Sequence, residues 1–210
     1  MTVVGSVRIR AGHVYAGAPA VGIEQEVAAG MGPARRTEFC SARALAHDAL
    51  ASLGLTAPQG IGQAGTGAPL WPQGVSGSIA HSGDRIAVAV TDTPGIFIGI
   101  DLEPVGAVPA DVAVSVTTPG ELADAHSRSG LTVNSPLLHT LLYVAKESTF
   151  KALNMADAEQ IWHPRSLPVQ LADWEEHHGT FTINHDLQVQ GHWWIDNGYV
   201  FASTTIGLES

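Results

Sequence analysis

Residues 136–154 carry apolar side chains at helical spacing, with Leu138, Leu141, Leu142, Ala145, Ala152 and Leu153 along one face. Pro136 suits the first turn of such a helix, where a missing N–H costs nothing. Residues 168–174, 181–189 and 192–206 instead alternate polar and apolar positions at strand spacing. A one-sided helix beside alternating strands restricts the chain to a mixed α/β (α+β) architecture that ends in an antiparallel sheet. The same spacing sets Tyr143, Lys146, Glu147, Phe150 and Lys151 on the other face of the helix.

The first half has a matching helix over 33–53, with Phe39, Ala42, Leu45, Ala46, Ala49, Leu50 and Leu53 in register and Gly54 as its stop. Arg36 and Arg43, seven apart, flank that stripe. Residues 54–69 hold too many glycines and prolines for a helix and read as a loop. Short strands are expected at 78–80, 86–90 and 96–103, and Thr91-Asp92-Thr93-Pro94-Gly95 predicts a hairpin between the last two. A stretch punctuated by Pro and Gly then leads to the second helix. At 210 residues, 45% hydrophobic and 14% charged, without repeats or a flexible linker, the chain is expected to form one compact unit.

No apolar run is long enough to span a bilayer, and the N-terminus lacks the order of a secretory signal, so a cytoplasmic protein with no membrane partner is expected. The single cysteine, Cys40, falls in an amphipathic pattern and reads as a buried, inert thiol. Ten basic residues against twenty acidic ones give a net charge of −10, which argues against a nucleic-acid surface. An anionic ligand then needs a local positive site. Arg35, Arg36 and Arg43 form one basic group, and the only two lysines, Lys146 and Lys151, form another.

Residues two apart in a strand share a side, so Asp101 and Glu103 of GIDLE present two carboxylates together at the end of an apolar run. The pair reads equally as a solvent-facing strand end. Glu147 and Lys151, four apart on the helix, read equally as a surface pair contributing about 0.3 to 0.5 kcal/mol. Taken together, Asp101, Glu103 and Glu147 supply oxygen ligands without a thiolate, a set suited to magnesium, with lysines beside it to neutralise phosphate. His81, where a strand gives way to a turn, can donate to a phosphate or cap the turn. His177, His178, His185 and His192 follow no metal-ligand spacing and are expected at the surface. No glycine-rich segment precedes a GK[ST] step, so nucleoside triphosphate hydrolysis is unsupported.

Four blocks, in this order, resemble the Sfp-type phosphopantetheinyl transferases, and within them the subgroup near the enterobactin-synthase transferase and the mycobacterial enzyme. They are ARRTEFCSAR, APLWPQGVSGSIAHS, IGIDLE and YVAKESTFKAL, spanning Arg35 to Leu153. In the last block Tyr143, Lys146, Glu147 and Lys151 fall on the aromatic, Lys-Glu and Lys places of the family signature. The resemblance implies a fold of two similar α/β halves, about 1–105 and 106–210, related by a pseudo-twofold with the active site between them, in a monomer. It implies that Asp101, Glu103 and Glu147 bind Mg2+, that Arg35, Arg43, Ala80, His81, Lys146 and Lys151 contact coenzyme A, and that Glu147, Lys146 and Lys151 take part in catalysis. The implied activity moves the 4′-phosphopantetheine arm of coenzyme A onto a serine of an apo acyl or peptidyl carrier protein, as in secondary metabolite biosynthesis.

Two departures stand out. Residues 61–69 contain no Lys or Arg, where the family usually has a cation reaching coenzyme A, and Val144 replaces the smaller residue common in the signature. A metal-dependent phosphohydrolase built on the same carboxylates, or a non-catalytic coenzyme A binding protein, are the alternatives the residues leave open. Docking of an acidic carrier on so acidic a chain calls for a local basic or apolar patch, with Arg36 a candidate.

Overall fold

The helical spacing over 33–53 is realised in a computed structural model that describes residues 7–156, 164–183 and 188–207. The chain divides into two units, Met1–Ile96 and Phe97–Ser210. The first contains β1 (Arg8–His13), α1 (Ile23–Ala29), α2 (Pro33–Ala51), β2 (Gly62–Gln63), β3 (Pro69–Leu70), β4 (Ser76–Ser82) and β5 (Arg85–Thr91). Strands β1, β5 and β4 pair antiparallel in that order, and α2 packs on β5 and β1. Its apolar stripe, Ala42, Ala46, Ala49 and Leu50, meets Ile86, Val88 and Val90 in one core. Cys40 is a buried free thiol against Ala28 and Phe39. Within the loop expected at 54–69, β2 and β3 form a two-residue ribbon.

The second unit takes β6 (Ile96–Pro104), α3 (Ala110–Val116), α4 (Pro119–Ser129), α5 (Pro136–Ala156), β7 (Val169–Trp174), β8 (His178–Ile183), β9 (Gln188–Asp196) and β10 (Tyr199–Gly207). Its sheet runs β6-β10-β9-β8-β7, and α5 lies across β10. Leu138, Leu141, Leu142, Ala145 and Leu153 of the predicted apolar face pack with Phe181, Trp193, Val200, Ala202 and Ile206. The terminal antiparallel sheet forms with other strand bounds: the strand expected at 192–206 is a hairpin of β9 and β10 closing on Asn197 and Gly198, both at positive φ (48° and 79°), and the one expected at 181–189 runs from the end of β8 to the start of β9 across 184–187, which lie outside the described residues. Helices α3 and α4 occupy the stretch whose prolines and glycines obscured any period.

The expected hairpin between 86–90 and 96–103 does not form. Ile96 N does donate to Thr93 O (3.2 Å), so the turn is real, but β5 is paired on both edges by β1 and β4, while β6 lies beside β10 in the other sheet. A strand with both edges hydrogen-bonded has no group left for a third neighbour. The hairpin partner of β5 is β4, through Gly83 at φ 58°. Among the described residues no helix is long and apolar enough to cross a membrane.

Candidate active site

Strand β6 turns Gly99, Asp101 and Glu103 to one side, toward α5. A Cβ at Gly99 would overlap the Ser148 carbonyl oxygen and lie 2.8 Å from Ala152 N, so glycine is what lets helix backbone and strand backbone touch there. On the neighbouring strand β10, Thr204 Oγ1 meets the Ser148 and Thr149 hydroxyls at 2.9 and 3.1 Å. This close seating brings the Lys151 ammonium to Asp101 Oδ1 (2.7 Å) and to Ile100 O (3.1 Å). Asp101 is 8% exposed and Lys151 partly buried, so the pair is screened less than a surface ion pair.

Glu147, one turn before Lys151, senses the same charges. Burial pushes its carboxyl above the usual carboxylate range, Asp101 and Glu103 push it further, and Lys151 opposes them. Tyr143, a turn earlier again, has its phenol pushed up to about 12, first by burial and then by Glu147, Asp101 and Glu103. The three expected carboxylates therefore share one electrostatic environment within the second unit. Among the described residues no three acidic, His or Cys side chains already converge at metal-ligand spacing. The donor set is all carboxylate oxygen, and like charges in a half-buried place favour a hard cation. Lys151 supplies a single positive charge there.

Lys146 does not join this group. Its Nζ donates to Glu121 Oε1 (2.8 Å) and to Leu167 O (2.7 Å), and the residue is 0% exposed. The charged face expected for the helix thus loses one member. Steps of about 100° put position 146 about 20° beyond Leu153, at the border of the apolar arc, where the period alone does not say which way the side chain turns. Glu121 was missed as well, although T-x-x-E at 118–121 is a capping-box pattern, and Thr118 and Glu121 do form that box at the start of α4.

In the first unit the basic residues separate. Arg35 Nη1 donates to His81 Nε2 (2.8 Å) and to Glu38 Oε2 (3.2 Å), both side chains standing at the surface. Because arginine only donates, His81 accepts at Nε2 and keeps its proton on Nδ1. Ala80, next to it on β4, is buried. Arg43 is 4% exposed, stacks 4.5 Å over Phe39, and donates to Ile61 O (2.9 Å) and Gly62 O (3.1 Å). Burial lowers its pKa to about 10, with Glu24 raising it and Arg35 lowering it. Buried Glu24 accepts from Ile61 N (2.8 Å) and meets His47 (2.8 Å), so the start of the 61–69 loop is gripped on both sides. Arg36 caps the end of α1 through the Ala28, Ala29 and Met31 carbonyls and remains exposed.

His177, His178 and His192 are exposed, as expected, and His185 lies outside the described residues.

Compared with known proteins, residues 23–91 match the model of the 4′-phosphopantetheinyl transferase N-terminal domain and residues 97–204 that of the 4′-phosphopantetheinyl transferase superfamily. Similar curated proteins include the 4′-phosphopantetheinyl transferase Npt of Nocardia iowensis, 40% identical over 152 residues, covering 71% of this chain and 60% of that protein. PptT of Mycobacterium tuberculosis is 35% identical over 119 residues, 56% of this chain and 51% of that one. Enterobactin synthase component D of Escherichia coli is 36% identical over 126 residues, 58% and 56% respectively. The chain therefore spans about half to three fifths of the length of these relatives. Among solved structures, Mycobacterium tuberculosis AcpS matches with a TM-score of 0.40 and 20% identity, over 53% of this chain and 96% of that one.

Proposed function

Because the chain belongs to the 4′-phosphopantetheinyl transferase superfamily, we propose that it transfers the 4′-phosphopantetheine arm of coenzyme A to a serine of an apo acyl or peptidyl carrier protein, releasing 3′,5′-adenosine bisphosphate. The observation that carries this reading is the shared charge environment of Asp101, Glu103, Glu147 and Lys151 across the Gly99 contact. Asp101, Glu103 and Glu147 would hold Mg2+. Once bound, the ion supplies charge neutralisation and polarises phosphoryl oxygens.

The chain's own residues carry the proton and the orientation. Glu147 is the proposed base for the carrier serine hydroxyl. As the serine oxygen bonds to the β-phosphorus, the bond from that phosphorus to the bridging oxygen breaks, and adenosine bisphosphate leaves with its electron pair. Lys151, already fixed on Asp101 and the Ile100 carbonyl, offers a positive charge to the phosphates. Arg35 and His81 are the proposed contacts to coenzyme A phosphate in the first unit. Arg43 supports that role indirectly, by shaping the backbone of Ile61 and Gly62.

The test is incubation with coenzyme A, Mg2+ and an apo carrier domain, followed by intact mass. A gain of one phosphopantetheinyl group on the carrier is expected. Release of free phosphopantetheine with no carrier modified, or no reaction across carriers of several pathways, would overturn the reading.

A further inference from the structure

Lys146 neighbours Glu147 in sequence yet sits in a different part of the fold. Glu121 Oε1, which takes the Lys146 ammonium at 2.8 Å, also accepts from Val169 N at 2.8 Å. Its Oε2 accepts from Thr118 N at 3.3 Å, closing the cap of α4. Through one ion pair, α4, α5, the segment at Leu167 and the first residue of β7 are tied together. Burial lowers the ammonium's pKa, and the hydrogen bond and charge of Glu121 oppose that shift.

Such a pair adds little net stability over apolar residues of the same size, and its best attested use is to fix register. Apolar contacts are not directional, so the rotation of α5 is set most sharply by its polar anchors, Lys146 on Glu121 and the Ser148 and Thr149 hydroxyls on Thr204. An ammonium held by a carboxylate and a carbonyl cannot follow that rotation without losing its geometry. On this basis, and resting on the transferase reading above, we infer that Glu121 and Lys146 are positioning residues for the transfer: they fix the rotation of α5 so that Glu147 and Lys151 face Asp101 and Glu103, and Lys146 itself does not touch coenzyme A.

The test uses the full chain in the carrier assay at saturating Mg2+, with kcat, the KM for coenzyme A and the thermal midpoint measured for each variant. Lys146→Met leaves Glu121 charged and buried, and is expected to melt early. Glu121→Gln combined with Lys146→Met removes both charges but keeps an oxygen for Val169 N, so its midpoint should return toward that of the natural chain. Its kcat should nevertheless stay about 100-fold low, the scale of a misplaced catalytic group, with KM for coenzyme A unchanged. Lys146→Arg keeps the charge in a bulkier, planar head, and should stay folded with kcat about tenfold low at unchanged KM. Normal kcat in either folded variant would make the pair merely structural and overturn the inference. A KM raised about tenfold or more would overturn it the other way, by placing Lys146 on a phosphate. An inactive natural chain sinks the transferase reading itself, and the inference falls with it.

Discussion

At the scale of single residues, Glu147 shows how position sets chemistry. The carboxyl is raised by burial and by two neighbouring carboxylates, so the folded chain holds its proton more tightly than the unfolded chain does. By linkage, the stability it contributes is fully present below the unfolded carboxylate value, about 4.3, and is lost as pH rises through the higher folded value. Glu147→Gln carries no charge and escapes that loss. In metal-free buffer the variant should therefore match the natural chain near pH 4 and melt progressively higher than it toward neutrality, while losing transfer in the carrier assay. Melts that differ by the same amount at every pH would show that the buried charge is not the cause. Tyr143, with its phenol pushed up to about 12, stays neutral throughout that range and can act only as a hydrogen-bonding, half-buried wall.

At the scale of elements, the decisive contact is between β6 and α5, and its least conspicuous member is Gly99. Substituting Gly99→Ala drives a methyl into the Ser148 carbonyl, where backbone rather than a mobile side chain is in the way. The helix must move off the strand. Overpacking of this kind costs about 1 to 3 kcal/mol, to be read from denaturant midpoints, and carrier modification should fall because Lys151 is pulled from Asp101. A variant with natural stability and full activity would show that the close approach is not needed. Arg43 repeats the lesson in the first unit, since its side chain serves the Ile61 and Gly62 carbonyls, and a buried carbonyl without a donor costs about 1 to 3 kcal/mol.

At the scale of the molecule, metal binding should register as stability. A ligand that binds only the folded chain adds about 2.7 kcal/mol at a hundredfold excess over its Kd. Added Mg2+ should raise the thermal midpoint of the natural chain and leave Glu147→Gln almost unmoved, with NaCl at matched ionic strength as the control for screening in a chain of charge −10. Equal rises for both proteins would remove Glu147 from the metal site. Local pattern was enough to determine much of this protein. The two long helices, the presence of a terminal antiparallel sheet though not its strand bounds, the shared side of Asp101 and Glu103, and the one-turn spacing of Glu147 and Lys151 all follow from periods of 3.6 and 2 residues. Periodicity gives the phase of a side chain within its own element and nothing about what lies across from it. Tertiary structure alone decided that β5 and β6 enter different sheets, that Arg43 turns to a loop 18 and 19 residues away, and that Lys146 is buried on Glu121. In each case the partner is fixed by packing between distant segments, where a buried polar group must find its hydrogen bond wherever the fold has placed one.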